Sequence, residues 1–420
     1  MPYFSEIYCN PSAAYSFATK GRIAIEEARN HAAKLIGASD MEIYFTSGGS
    51  ESDNWAIKAV AESFSDKGKH IITTKIEHHA VLHTCEYLER HGFDITYLNV
   101  DSDGKVRLDE LKKSIREDTI LISVMTANNE IGTIQPVAEI GKIAHEKGIL
   151  FHTDAVQAYG HIPINVDEMN IDLLSASGHK FNGPKGVGIM YIRKGVKIRS
   201  FIHGGSQERG RRAGTYNVPG IAGLGTAAKL AMENMAKRAE KEKELRDYFI
   251  DRISAEIPYT VLNGHREDRL PNNINFCFRF VEGESVLIML DQAGICASSG
   301  SACTSGAIDP SHVLRAIGLS DEMAHESLRL TLSYENTKEE IDYLCEKYIK
   351  KNDSVIDVGC GIGRHTIELN KRGIKTKGID FSKENIKSAQ KAYNPECFIS
   401  GDVRSYKFKE KYDVAIALYD

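Results

Sequence analysis

Short β-branched runs alternate with amphipathic stretches through the first half of the chain, and this alternation limits its possible folds most sharply. Strands are predicted at Glu42–Thr46, His70–Thr74, Ile95–Val100, Ile120–Met125, Ile149–Thr153, Leu173–Ala176 and Gly188–Tyr191. Helical patterns such as Arg22–Ile36, Glu51–Phe64 and Val137–Lys147 lie between them. Such a series reads as a largely parallel sheet covered by helices. Ligands then belong at the carboxyl ends of its strands.

A long charged helix, Gly220–Ser254, suits a connector between lobes. Beyond it, strands at Asn273–Phe280 and Leu328–Ser333, a helix at Glu284–Gln292 and a small-residue loop at 297–306 predict a smaller α+β lobe. Charge changes near residue 350: residues 346–420 carry +4, against −9 for the preceding part. A new series opens there, with strands at Ser354–Val358, Lys375–Ile379 and Tyr412–Leu418 and helices at Arg364–Lys371 and Lys383–Lys391. The expected domains are therefore 1–220, 221–348 and 349–420.

A net charge of −5 over 420 residues supplies no basic field for nucleic acid or a membrane surface. No run reaches the roughly 18 apolar residues of a membrane-spanning helix, and the first residues lack the basic start and apolar core of a signal peptide. The 8 cysteines are scattered, without disulfide-framework or zinc-ribbon spacing. The expectation is a reduced, cytoplasmic α/β protein without a structural metal.

Three local patterns point to chemistry. Lys180 follows an apolar strand within Ser175-Ala-Ser-Gly-His-Lys-Phe-Asn-Gly-Pro-Lys-Gly186, where a lysine can reach a cleft and form a Schiff base. Asp154 ends the strand Leu150-Phe-His-Thr-Asp154, with Gln157 one turn on; a buried carboxylate there can hold a pyridinium nitrogen protonated. Thr46-Ser-Gly-Gly-Ser-Glu51 joins a strand to a helix and offers backbone N–H groups to a phosphate. The pair His78-His79 is not read as a metal site, because adjacent side chains point to different sides.

Taken together, these segments resemble the class-V aminotransferase family and, within it, the cysteine desulfurases. The resemblance runs in unbroken order over roughly residues 10–345. It includes Glu77-His-His-Ala-Val81, Asn128-Asn-Glu-Ile-Gly132, Ser177-Gly-His-Lys180, Arg212-Ala-Gly-Thr215, Ser298-Ser-Gly-Ser-Ala-Cys-Thr-Ser305 and Leu328-Arg-Leu330. It implies the pyridoxal-phosphate-dependent transferase fold of type I, a large mostly parallel sheet domain plus a small α+β domain, assembled as a homodimer.

By the same resemblance, Lys180 binds the cofactor aldehyde and moves the substrate Cα proton. His78 stacks on the pyridine ring and assists proton transfer, and Asp154 pairs with the ring nitrogen. Asn129 and Gln157 bond the phenolate oxygen. Gly49, Ser50, Ser177 and His179 hold the phosphate, joined by Thr215 from the other subunit. Arg329, with Asn129 beside it, clamps the carboxylate of the substrate L-cysteine, a task suited to a planar fork. From their clustering alone, Arg209, Arg211 and Arg212 read as ordering a loop at the dimer interface, the alternative being an anion patch that reaches phosphate or substrate.

Cys303 separates desulfurases from ordinary transaminases. It sits in a run of small residues, Ala297-Ser-Ser-Gly-Ser-Ala-Cys-Thr-Ser-Gly306, that has little to pack into a core and can swing towards an outside acceptor. Its thiolate would attack the substrate sulfur, leaving alanine and a persulfide on Cys303. The implied acceptor is an iron–sulfur scaffold or a tRNA-thiolation enzyme, with no direct nucleic acid contact. The same residues also admit a selenocysteine lyase or another β-elimination. From a different class, they admit a non-catalytic regulatory protein built from two incomplete enzymes.

A second motif, Val355-Ile-Asp-Val-Gly-Cys-Gly-Ile-Gly-Arg364, joins a strand to a helix with glycines that allow close approach of a ligand. With Gly378-Ile-Asp380 and Gly401-Asp-Val403 it resembles the front half of a class I S-adenosylmethionine methyltransferase, a partial Rossmann-like unit. S-adenosylmethionine is the ligand implied, at Gly359, Gly361, Asp380 and Asp402. Against the two families, the expectation is that about 30 residues of the desulfurase front and the later methyltransferase strands are absent (both estimates from the resemblance), leaving a remnant without independent methyl transfer.

Overall fold

The computed structural model describes residues 2–281, 283–299, 310–348, 354–371, 373–412 and 414–416. Seven strands build the main sheet: β1 (Ile43–Thr46), β2 (His70–Thr74), β3 (Asp94–Leu98), β4 (Thr119–Ser123), β5 (Leu150–Asp154), β6 (Leu173–Ser177) and β7 (Gly188–Ile192). Their order is β1-β7-β6-β5-β4-β2-β3. The run from β6 to β3 is parallel, and β7 is antiparallel to both neighbours.

Successive side chains of a strand face opposite sides of the sheet. Here both sides are buried, which explains the unbroken apolar runs. Ile72, Ile122, Leu174 and Ile189 join one core with the Thr19–Lys34 and Val137–Glu146 helices. Their neighbours Ile71, Leu121, Leu173 and Met190 join the other, under the Gly49–Phe64 and His79–Glu89 helices.

The connector helix, Val218–Glu256, has 39 residues and is therefore about 58 Å long. Its start contributes Ile221, Leu224 and Ala228 to the first core, and its end contributes Leu245, Phe249 and Ile253 to a third. That third core lies against an antiparallel sheet of β8 (Thr260–Leu262), β9 (Asn273–Phe278) and β10 (Ser327–Thr331) in the order β10-β9-β8. The C-terminal segment adds β11 (Val355–Val358), β12 (Thr376–Asp380), β13 (Phe398–Ser400) and β14 (Val414–Ile416), all parallel, in the order β13-β12-β11-β14. No described helix is long and apolar enough to cross a membrane.

Candidate active site

The loops after β1, β2, β4, β5 and β6 open onto one cavity of about 230 Å³. After β1, the chain turns through Gly48, at φ +155°, into the Gly49–Phe64 helix, whose first residues line the cavity wall. The close approach there needs glycine: a Cβ on Gly49 would sit 2.6 Å from Val156 Cγ2. Thr46 Oγ1 and Ser52 Oγ lie 2.8 Å apart, and Ser52 donates to the Ile189 carbonyl at 2.9 Å, fastening the turn to β7. The turn therefore offers a rigid set of N–H donors and a positive helix end to an anion.

Beyond β2, Glu77 is fully buried and His78 caps the next helix, its Nδ1 accepting the Ala80 N–H at 3.1 Å. Burial, then nearby Lys180, pushes His78 down and keeps its ring neutral. Both His78 and His79 line the cavity, contrary to the expectation that adjacent histidines diverge. The reason is the cap itself: His78 has extended φ/ψ and the helix begins at His79, so the chain turns between them.

After β4, Asn128 turns the chain by accepting the N–H groups of Glu130 and Ile131, which leaves Asn129 on the wall. Arg329 of β10 donates to the Asn129 carbonyl at 2.9 Å and shares a backbone bridge with Ser298. That bridge ties the start of the small-residue loop to the cavity. Cys303 itself, on residues 300–309, lies outside the described residues.

Asp154 ends β5 on the cavity floor, where one oxygen accepts the Val156 N–H at 2.9 Å. Burial pushes its carboxyl up to about 6, against the pull of that N–H and of Lys180. Gln157, Ser177, His179 and Lys180 complete the wall. Ser177 Oγ lies 3.2 Å from His179 Nδ1. Thr215, by contrast, is exposed and is not on this wall.

The three arginines beyond β7 all act locally. Arg209 donates to the Ile43 carbonyl and lies 4.1 Å over the Tyr44 ring, with Arg211 at 5.6 Å. Arg212 makes a forked pair with Glu51 at 2.8 and 3.0 Å. Burial works to raise Glu51, but the bonds from Arg212 and Ser47 outweigh it and hold the carboxyl below its usual range.

Sequence reading assigned no role to Asp53, Glu130 or His312, all of which line the cavity. Asp53 is the most unusual. It is 1 % exposed, its Oδ1 has no hydrogen-bond partner among the described residues, and oxygens of Asp53 and Asp154 and a His78 nitrogen lie within 4.8 Å of one another. Two ionised carboxylates that close would repel by about 3–4 kcal/mol at an effective dielectric near 20. The only sequence signal was its place in Glu51-Ser-Asp-Asn54, as the fifth residue of the Gly49–Phe64 helix.

In the C-terminal segment, the Gly361 N–H donates to Asp380 Oδ2 at 2.9 Å, closing the glycine turn onto the end of β12. Asp402 instead pairs with Arg404, which holds its carboxyl down to about 2.

Comparison with known proteins agrees with this geometry. Residues 1–344 match the model of the aminotransferase class-V family, and residues 355–420 match that of a methyltransferase domain. The chain is 58% identical over 353 residues to a cysteine desulfurase IscS of Dictyoglomus turgidum, covering 83% of this chain and 90% of the relative. It is also 58% identical over 346 residues to that of Methanosarcina thermophila, covering 82% and 85%. Among solved structures, a NifS-like protein superposes with a TM-score of 0.77 at 42% identity, covering 82% and 92%. SspA in complex with cysteine gives 0.71 at 39%, covering 80% and 94%. A cavity built from the ends of five strands, in a chain this similar to these relatives, leads to one conclusion: the chain belongs to the class-V aminotransferase family, among its cysteine desulfurases.

Proposed function

We propose that the protein is a pyridoxal-phosphate-dependent cysteine desulfurase that converts L-cysteine to L-alanine and places the sulfur on Cys303 as a persulfide. The observation that carries this reading is the convergence of Lys180, Asp154, the Gly49 helix end and Arg329 on one cavity. The residues fit the cofactor: buried Asp154 would take a ring nitrogen, the Gly49 turn and helix N-terminus would take a phosphate, and Lys180 on the same wall would hold the aldehyde.

Pyridoxal phosphate, when bound, supplies a sink for the electron pair released at the substrate Cα. Lys180 is the residue that holds the cofactor and moves the Cα proton. Asp154 would balance the ring nitrogen, and neutral His78 would cover the ring and relay a proton. Asn129 and Gln157 serve the phenolate oxygen, while Gly49, Ser50, Ser177 and His179 serve the phosphate, with Thr215 supplied by a second copy. The Arg329 guanidinium receives the substrate carboxylate. The Cys303 thiolate attacks the substrate sulfur; a Cys303 S–S bond forms, the Cβ–S bond breaks, and its electron pair takes a proton to complete alanine.

The persulfide then passes to an acceptor, an iron–sulfur scaffold or a tRNA-thiolation enzyme. For the division into 1–220, 221–348 and 349–420, a separate core around the end of the connector helix supports the second unit and a separate parallel sheet the third, while the helix's first turns, with Ile221, Leu224 and Ala228, pack with the first. S-adenosylmethionine at Gly359, Gly361 and Asp380 is supported by the glycine turn closed on Asp380. Replacing Cys303 with alanine tests the central reading: cysteine desulfuration collapses if Cys303 is the acceptor, whereas a selenocysteine lyase keeps most of its turnover.

A further inference from the structure

We infer that Asp53 is the proton-holding half of a buried acid pair with Asp154, a positioning residue that keeps the negative charge beneath the cofactor ring at one. The inference rests on the cofactor reading above and deepens it.

Asp53 on the Gly49–Phe64 helix and Asp154 at the end of β5 line the cavity as buried carboxyls, with Glu77, after β2, buried near both; Glu130, buried on the same wall, accepts from the Ser311 hydroxyl. Glu77 Oε1 accepts from the Thr74 hydroxyl and the Met125 N–H, while Glu77 Oε2, like Asp53 Oδ1, has no partner among the described residues. A buried carboxylate oxygen without a donor is costly, and a neutral acid removes most of that cost. The Ser175 hydroxyl bonds Asp53 and favours its charge, but burial outweighs that bond, and among the described residues no cation faces it. His152 Nε2, 3.7 Å from Asp53 Oδ1, is held between the Ser123 and Ser175 hydroxyls, and burial keeps the ring neutral, pushing it down to about 3. His78 is neutral for the reasons given above.

Lys180 acts on Asp154, drawing the charge there, whereas Asp154 and Glu77 both oppose a charge on Asp53. Asp154 is therefore the carboxylate, and Asp53 is an acid. A second charge on Asp53 would bind the ring nitrogen's proton more tightly and shift every titration of the cofactor; a neutral Asp53 prevents this.

Infrared spectra of the holoenzyme at pH 7, with and without carboxyl-13C aspartate, read the proton directly. Asp53→Asn should remove one protonated-carboxyl stretch that moves with the aspartate label. Glu77→Gln should remove one that does not. Because the lost group is neutral, D53N should keep the cofactor within twofold of the original affinity. Its visible absorbance should titrate within about 0.3 pH unit of the original, whereas loss of a charge at this distance would shift it by more than about one unit. Where D53N does not fold, Asp53→Ser, smaller and equally without an acid proton, gives the same reading. An unchanged acid band in the variant, or a shift of a unit or more in the absorbance titration, overturns the inference. Failure of the unaltered protein to bind pyridoxal phosphate would instead overturn the cofactor reading, and the acid band would still be measurable.

Discussion

Gly188→Ala probes the cofactor turn from behind, without replacing a residue that would meet the ligand. Gly188 pairs with Thr46 of β1 on one side and Ser177 of β6 on the other. An added Cβ would lie 2.6 Å from Gly48 Cα, 2.8 Å from the Gly48 carbonyl carbon and 2.8 Å from the Ala176 oxygen. All three atoms are backbone, so no side-chain rotation relieves the clash. Reaching an ordinary 3.4 Å contact requires the turn to retreat by roughly 0.8 Å. Overpacking of this kind costs about 1–3 kcal/mol. If the turn yields, the same energy is lost from phosphate binding, about 5- to 150-fold in cofactor affinity. The assay is absorbance titration of the apoprotein with pyridoxal phosphate, paired with thermal unfolding. Gly148→Ala is the control: its φ is +67° and nothing lies within 4 Å of the new Cβ, so it loses stability but not affinity. Gly188→Ala with cofactor affinity within twofold of the original and unchanged unfolding would refute the reasoning.

Four further outcomes follow from the site. Lys180→Ala should abolish borohydride attachment of the cofactor, read by the mass of the intact protein. Arg329→Ala should lower kcat/KM for cysteine on the order of a hundredfold by removing a charged fork, with a smaller loss for substrates lacking the carboxylate. Arg212→Ala leaves the Glu51 carboxylate, 10 % exposed, with the Ser47 N–H but no charged partner, so denaturant unfolding should show a loss of about 1–3 kcal/mol. Burial raises Glu77 from 4.5 to about 8, so the native protein keeps a proton that the unfolded chain releases between those values. Its contribution is complete below about pH 4.5 and is lost as pH rises towards 8. Glu77→Gln should flatten that slope when apoprotein unfolding midpoints at pH 5 and pH 8.5 are compared.

The strand–helix alternation was legible because both sides of the main sheet are buried: His70–Thr74 is observed at its expected bounds, and the other main strands shift by one or two residues. Lys180, Asp154 and Gly49 were legible because each sits in a short segment at a strand end, where local sequence and site position coincide. Asp53 was not, because its neighbour Asp154 is brought to it only by packing a helix across β5. His79 was misjudged because alternation belongs to a strand, whereas the chain there begins a helix capped by His78. The tie between Ser298 and Arg329 is likewise a product of tertiary pairing, invisible in either motif alone.

The most direct test of the central claim is the product balance of the purified holoenzyme given L-cysteine and a thiol reductant. Alanine and sulfide should appear in equal amounts, and both should vanish in Cys303→Ala. Cofactor-loaded protein that yields neither product, or whose Cys303→Ala variant still releases sulfide at the original rate, would contradict the account.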